Sequence, residues 1–162
     1  MSTAPFFSVV IPVYNRAGPL GNALRSILAQ SCQDFEIVVV DDGSIDNPKQ
    51  AVDRFLDPRI RFIRQDNRGG GAARNAGIDN ARGRFIAFLD SDDEFLPDHL
   101  ETMRRLLEGT HDTVGYARIF VDRGQGRVFM KRSSSSRTHS ESLSFSRRSR
   151  WAMTPSNGRR NS

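Results

Sequence analysis

The sequence predicts an α/β sandwich with a mostly parallel sheet, and three observations support that class. Short apolar runs alternate with helix-patterned stretches along most of the chain. Several of those runs are continuous and β-branched, as strands covered on both faces are. Three of them end in polar clusters, at Pro12 to Asn15, Asp41 to Ser44 and Asp90 to Asp93. In parallel sheets, ligands bind beyond the carboxyl ends of the strands. Three strands therefore deliver polar groups to one rim.

FSVVIPVY (7–14) is the first such strand. Leu20, Ala23, Leu24, Ile27 and Leu28 follow at the spacing of one apolar helical stripe. FEIVVVDDGS (35–44) is a second buried strand, after which Ser44 or Asp46 is expected to cap a helix with Ala51, Val52, Phe55 and Leu56 on one face. Asp57-Pro58 stops that helix. IRFIR (60–64) alternates as a more exposed strand does. NRGGGAARNAGIDNAR opens with a glycine turn and continues as a small-residue helix that Gly83 is expected to end. RFIAFL (84–89) reads as another buried strand, Pro97 as the first residue of a helix closed by Gly109, and TVGYARIFVD (113–122) as a fifth strand. RGQG then turns into RVFM.

The chain of 162 residues suits one domain with a substantial core. Its net charge of +5 is unevenly placed: eight Lys+Arg and one acid from Lys131 onward leave 16 bases and 18 acids in residues 1–130. The basic character belongs to the tail. Residues 133–162, rich in Ser and Arg, lack any sustained apolar period, and the expected division is a folded domain over 1–132 and a disordered tail over 133–162. The single cysteine, Cys32, excludes an internal disulfide and a multi-cysteine zinc site and reads as a semi-buried thiol. With no signal-peptide pattern and no apolar run of membrane-spanning length, the expected location is cytoplasmic.

Four carboxylates, Asp90, Asp92, Asp93 and Glu94, crowd the point where an apolar run leaves the core. Such crowding raises pKa values unless a positive group offsets it. Asp90 and Asp92 are spaced to approach one ion, and hard oxygen ligands suit Mg²⁺ or Mn²⁺. A solvated turn preceding a helix explains the same residues. Asp41 and Asp42 can accept from a bound base or hold a ribose, or simply form an Asx-type turn. The Tyr14 ring can lie against a base or cover the core edge. Three glycines before a helix, with Arg74 in its first turns, suit a phosphate. They do not complete a dinucleotide fingerprint, because Arg74 stands three residues after Gly71. His99, His111 and His139 are scattered and read as surface residues.

Together, SVVIPVYN (8–15), SILAQSCQDFEIVVVDDGS (26–44), NRGGGAARNAGI (67–78) and GRFIAFLDSDDEFLPDHL (83–100) resemble the inverting family-2 glycosyltransferases of GT-A fold, from about Phe7 to Val121. The resemblance implies a Rossmann-like α/β/α sandwich cut off after the half that contains the DxD. It implies that Pro12 and Tyr14 line the pocket for the donor's base, usually uracil. Asp41 would accept from the base N–H with Asp42 beside it, and Arg74, with Asn75, would flank the donor. Asp92 would be the principal ligand of Mn²⁺ or Mg²⁺, with Asp90 toward the ribose or sugar and Asp93 behind. The implied partners are a nucleotide-diphospho-sugar donor and a glycan, lipid or protein acceptor. Peripheral association with the inner face of a membrane and a homodimer are further expectations, and nucleic acid is not one.

Family members continue beyond the DxD into an acceptor-binding half with a general base. Here the change in character near Ser133 reads as a frame change or truncation, and Glu141, the one acid of the tail, is given no role. The rival reading is a non-catalytic α/β module whose basic tail binds nucleic acid.

Overall fold

The computed structural model describes residues 4–108, 120–122 and 127–129. The chain divides into two compact units, Met1–Ile119 and Phe120–Ser162. In the first, the strands are β1 (Phe7–Val13), β2 (Phe35–Asp42), β3 (Ile60–Gln65) and β4 (Phe85–Phe88). The helices are α1 (Ala17–Leu28), α2 (Pro48–Asp53), α3 (Gly70–Asn80) and α4 (His99–Leu107). In the second unit, β5 (Phe120–Asp122) pairs antiparallel with β6 (Arg127–Phe129). The rest of the expected fifth strand, the Gly109 stop and the tail from 133 lie outside the described residues.

The four strands of the first unit form one sheet in the order β3-β2-β1-β4, with every pairing parallel. Parallel neighbours need crossovers, and the helices between the strands provide them. The two central strands carry the longest β-branched runs, and β2 is buried at every position. Successive side chains alternate between faces. Val9, Ile11 and Val13 of β1, with Ile37 and Val39 of β2, join Leu20, Ala23, Leu24 and Ile27 of α1 and Leu100, Met103 and Leu107 of α4 in the larger core. Val10, Val38 and Val40 face the other way and meet Ala73 and Ala76 of α3. The small residues of α3 are a packing requirement: a Cβ on Gly77 would stand 2.2 Å from Val10 Cγ1.

Four local expectations are corrected. RFIAFL forms an edge strand of this sheet, and Ile86 and Phe88 are partly exposed while Phe85 and Ala87 pack inward. The second helix ends at Asp53, before Leu56, which takes a left-handed φ of 48° and stands 91% exposed. The helix is six residues long, the left-handed turn at Leu56 leaves that side chain in solvent, and Pro58 keeps Asp57 out of helical geometry. Helix α3 ends at Asn80, so Gly83 does not terminate it. Gly83 instead lies against the start of β1, with Gly83 N donating to Ser8 Oγ at 2.8 Å. Pro97 precedes α4 rather than opening it, and its carbonyl accepts from Ser31 N at 2.9 Å.

At the amino ends of the strands, buried Glu36 organises the crossover from α3 to β4. Its Oε1 accepts from Ser8 Oγ at 2.7 Å and Arg82 N at 2.6 Å, and its Oε2 from Arg61 at 3.3 Å. Burial opposes ionisation of this carboxyl, but those hydrogen bonds and the Arg61 charge outweigh it and hold the pKa below the ordinary glutamate value. Cys32 is buried, as a structural thiol is.

Candidate functional site

A cleft of about 490 Å³ opens at the carboxyl ends of β1, β2 and β4. Pro12, Tyr14 and Arg16 line it from the end of β1 and the turn after it, Asp42 from β2, and Asp90, Ser91 and Asp92 from the turn after β4. Asn67, Gly69, Gly70, Ala73 and Arg74 complete the wall from the start of α3. Leu89 N donates to Val10 O at 3.1 Å, which carries the β1–β4 pairing to the point where Asp90 emerges beside the end of β1. Alternation along the strands gives Pro12, Tyr14 and Asp42 the parity of Val10, Val38 and Val40, which face α3, while Val13 of opposite parity borders the cleft at the end of β1.

Parity also separates the two adjacent aspartates. Asp41, expected to accept from a base N–H, points to the opposite face, is fully buried and does not line the cleft. Its Oδ1 accepts from Ser44 N and its Oδ2 from Arg64 Nη1, both at 2.9 Å. Asp42 lines the cleft, and its oxygens accept from the end of β3 and from the glycine turn. Oδ1 accepts from Gln65 Nε2 at 2.7 Å and Arg68 N at 2.9 Å, and Oδ2 from Gly69 N at 2.8 Å. Burial works against its charge, and these three donors with the Arg68 charge more than compensate, so its pKa lies below the ordinary aspartate value. Asp42 thereby fixes the turn in which Gly69 takes a φ of 86° and from which α3 starts. Asn75 is half-buried and lies outside the cleft lining.

The crowded acids have positive neighbours. Arg74 Nη2 donates to Asp90 Oδ1 at 2.5 Å, and Arg16 Nη1 pairs with Asp92 Oδ2. Arg16 carries no motif signal of its own; only its place after the PVYN turn hinted at the cleft. Asp93 turns back so that its N–H donates to Asp90 O at 3.0 Å. Burial first, then the Asp92 and Asp90 charges, push its pKa above the ordinary value, with Arg16 opposing them. Among the described residues no group of three or more His, Cys, Asp or Glu comes together as a metal cage. The donor set suits an ion that takes one or two carboxylates and completes its shell with water and phosphate oxygens, as Mg²⁺ and Mn²⁺ do. Asp90 and Asp92, adjacent in the cleft and about half exposed, meet that description.

The cleft wall rests on a clasp between the first two strand-end turns. Asn15, in left-handed backbone at φ 52°, donates its N–H to Ser44 Oγ and accepts from Ile45 N at Oδ1, both at 2.9 Å. Asp46 Oδ2 accepts from Ala17 N at 2.8 Å, capping α1 rather than the helix that follows it in sequence. Asn15→Ala is expected to destabilise the chain by about 2 kcal/mol, from one lost side-chain hydrogen bond and the left-handed strain on alanine. Asn15→Gly should recover the strain component, as measured by urea unfolding.

The family model for glycosyl transferase family 2 matches residues 8–158, running on past Val121 into the Ser/Arg-rich segment. The chain belongs to glycosyl transferase family 2. Its relatives include the succinoglycan biosynthesis protein ExoO of Rhizobium meliloti, 49% identical over 119 residues, which are 73% of this chain and 33% of that protein. The putative glycosyltransferase EpsH of Bacillus subtilis is 40% identical over 125 residues, 75% of this chain and 36% of the relative. Among solved structures, S. aureus TarS 1-349 in complex with UDP-GlcNAc superposes with a TM-score of 0.60 at 31% identity, over 63% of this chain and 31% of TarS 1-349. The mannosyltransferase PcManGT from Pyrobaculum calidifontis, in complex with GDP-Man and Mn²⁺, gives 0.61 at 28% identity, over 70% and 35% of the two chains. The sheet and its helices are thus those of the GT-A fold, and this family-2 chain spans about a third of the length of each of these relatives. Among its described residues no helix is long and apolar enough to cross a membrane.

Proposed function

We propose that this chain supplies the donor-binding part of a sugar transferase and holds a nucleoside diphosphate-sugar in the cleft. One observation carries the proposal: a single cleft gathers an exposed aromatic ring, a glycine-led helix start with an arginine, and two carboxylates from three strand ends. Tyr14, 49% exposed, offers its face to the base beside Pro12. The start of α3 and Arg74 present N–H donors and a guanidinium to the diphosphate. Asp92, with Asp90, would hold Mn²⁺ or Mg²⁺. Bound there, the cation supplies Lewis-acid stabilisation of the departing nucleoside diphosphate. The TarS complex with UDP-GlcNAc and the PcManGT complex with GDP-Man and Mn²⁺ support this ligand class.

The acceptor is a hydroxyl of a glycan, lipid or protein. With Asp42 committed to the glycine turn and Asp90 and Asp92 to the cation, none of the carboxylates that line the cleft is assigned as its general base. ExoO, a succinoglycan biosynthesis protein by name, favours a polysaccharide product.

Titration calorimetry of UDP and of GDP into the 162-residue chain, with and without Mn²⁺, tests the proposal. Mn²⁺-dependent binding of one nucleotide is expected, weakened by roughly 10-fold or more in Asp92→Asn. A chain folded by circular dichroism that binds neither nucleotide overturns it. Equal affinity with and without the cation overturns the metal assignment alone.

A further inference from the structure

Arg16 stands at the mouth of the donor cleft, and its one described side-chain partner is Asp92, 76 residues away in sequence. Its backbone is held firmly. Arg16 O accepts from Leu20 N at 3.1 Å as the first turn of α1 closes, and the neighbouring Asn15 is clasped to Ser44 and Ile45. The side chain is not: the ion pair is 51% exposed on the arginine and 47% on the aspartate. Exposed pairs of this kind contribute little and are screened by salt, so the guanidinium can exchange partners without disturbing the fold.

Two ligands of the proposed donor complex would compete for the two halves of this pair. A divalent cation attracts the Asp92 carboxylate, and a diphosphate offers a guanidinium a stronger, bidentate partner. The cation alone must displace Arg16 and leaves it only the more distant charge of Asp93 in return. Cation and diphosphate together replace one weak exposed pair with two stronger interactions. Arg74 and Asp90 form a second partly exposed pair in the same cleft.

We infer that Arg16 is a positioning residue that neutralises Asp92 in the absence of donor and passes to the donor's diphosphate when a cation takes the carboxylate. The inference rests on the donor-binding reading above. It makes cation and nucleotide binding mutually dependent, since each frees the partner that the other needs.

The experiment is calorimetry, with Mn²⁺ electron paramagnetic resonance as a second readout, on the 162-residue chain and its Arg16→Gln and Arg16→Lys variants. Mn²⁺ is titrated alone, and UDP and GDP are titrated at saturating Mn²⁺. Arg16→Gln is expected to bind Mn²⁺ alone roughly 3-fold more tightly than the wild type, because an exposed counterion has been removed. With Mn²⁺ present, it is expected to bind the nucleotide roughly 10-fold more weakly, because a charge-assisted contact has been lost. Arg16→Lys, which keeps the charge, should retain the wild-type affinity for Mn²⁺ alone. A wild type that binds nucleotide with Mn²⁺ beside an Arg16→Gln variant with unchanged affinities overturns the role of Arg16 and leaves the donor reading standing. Tightening of Mn²⁺ binding by the lysine variant to the level of Arg16→Gln overturns charge masking. A folded wild type that binds no nucleotide with Mn²⁺ overturns both.

Discussion

Gly83→Ala is expected to lower stability by about 3 kcal/mol, the upper end of the usual cost of overpacking. A Cβ there would sit 2.5 Å from Ser8 N and 2.6 Å from Phe7 C, both backbone atoms of a central strand, and 2.8 Å from Ser8 Oγ. Backbone in the middle of a parallel sheet cannot give way, so the α3–β4 crossover would have to move outward. That movement would pull Arg82 N and Gly83 N away from Ser8 and Glu36, leaving a buried carboxylate short of donors. Gly71→Ala is the control, since a Cβ on this exposed residue of α3 meets nothing within 4 Å. It is expected to be neutral or to stabilise by up to about 1 kcal/mol through helix propensity. Thermal and urea unfolding of the two variants measure the contrast; equal midpoints would refute the packing argument.

The second large effect is expected at Asp42. Asp42→Ala removes the acceptor for Gln65 Nε2, Arg68 N and Gly69 N at once, for an expected loss of about 3 kcal/mol. The same change releases the turn that starts α3, so nucleotide affinity should fall through the loss of that turn. Loss of stability with unchanged nucleotide affinity would separate the turn from the site.

Asp42 also shapes the acid limb of stability. The pKa values of Asp42 and Glu36 are depressed in the fold although burial opposes both charges, and that of Asp57 is depressed chiefly by hydrogen bonds from Arg59. A depressed folded pKa means that the unfolded chain takes up protons first as pH falls. The contribution of these groups is therefore full above the ordinary values of 3.8 for aspartate and 4.5 for glutamate, and it is lost as pH drops through the lower folded values. Asp93 runs the other way: its raised pKa makes its ionisation a cost to the fold as pH climbs past 3.8. Urea midpoints followed from neutral pH to pH 3 should fall steeply in the wild type and more gently in Asp42→Asn.

The class of fold was legible because the β-branched runs of β1 and β2 can be buried only as central strands, and their spacing leaves room for helical crossovers. The polar clusters at strand ends were legible for the same reason: in a parallel sheet every strand ends at the same rim, so chain order alone brings Tyr14, Asp42 and Asp90 to one edge. Side-chain partners were not legible, because they depend on atoms far apart in sequence. Which of the aspartates at 41 and 42 faces the cleft follows from pleat parity, and parity is set by which face of β2 receives α3. The assignment of Asp46 to cap α1, the close approach of Gly83 to Ser8, and the reach of Arg16 to Asp92 each join segments 29 to 76 residues apart. The layers, the order of elements and the rim where the site lies follow from local periodicity and burial, which the residue pattern alone specifies. Which carboxylates face the cleft in exposed pairs and which hold the scaffold emerges from packing. That choice depends on the donors that packing brings within hydrogen-bond distance.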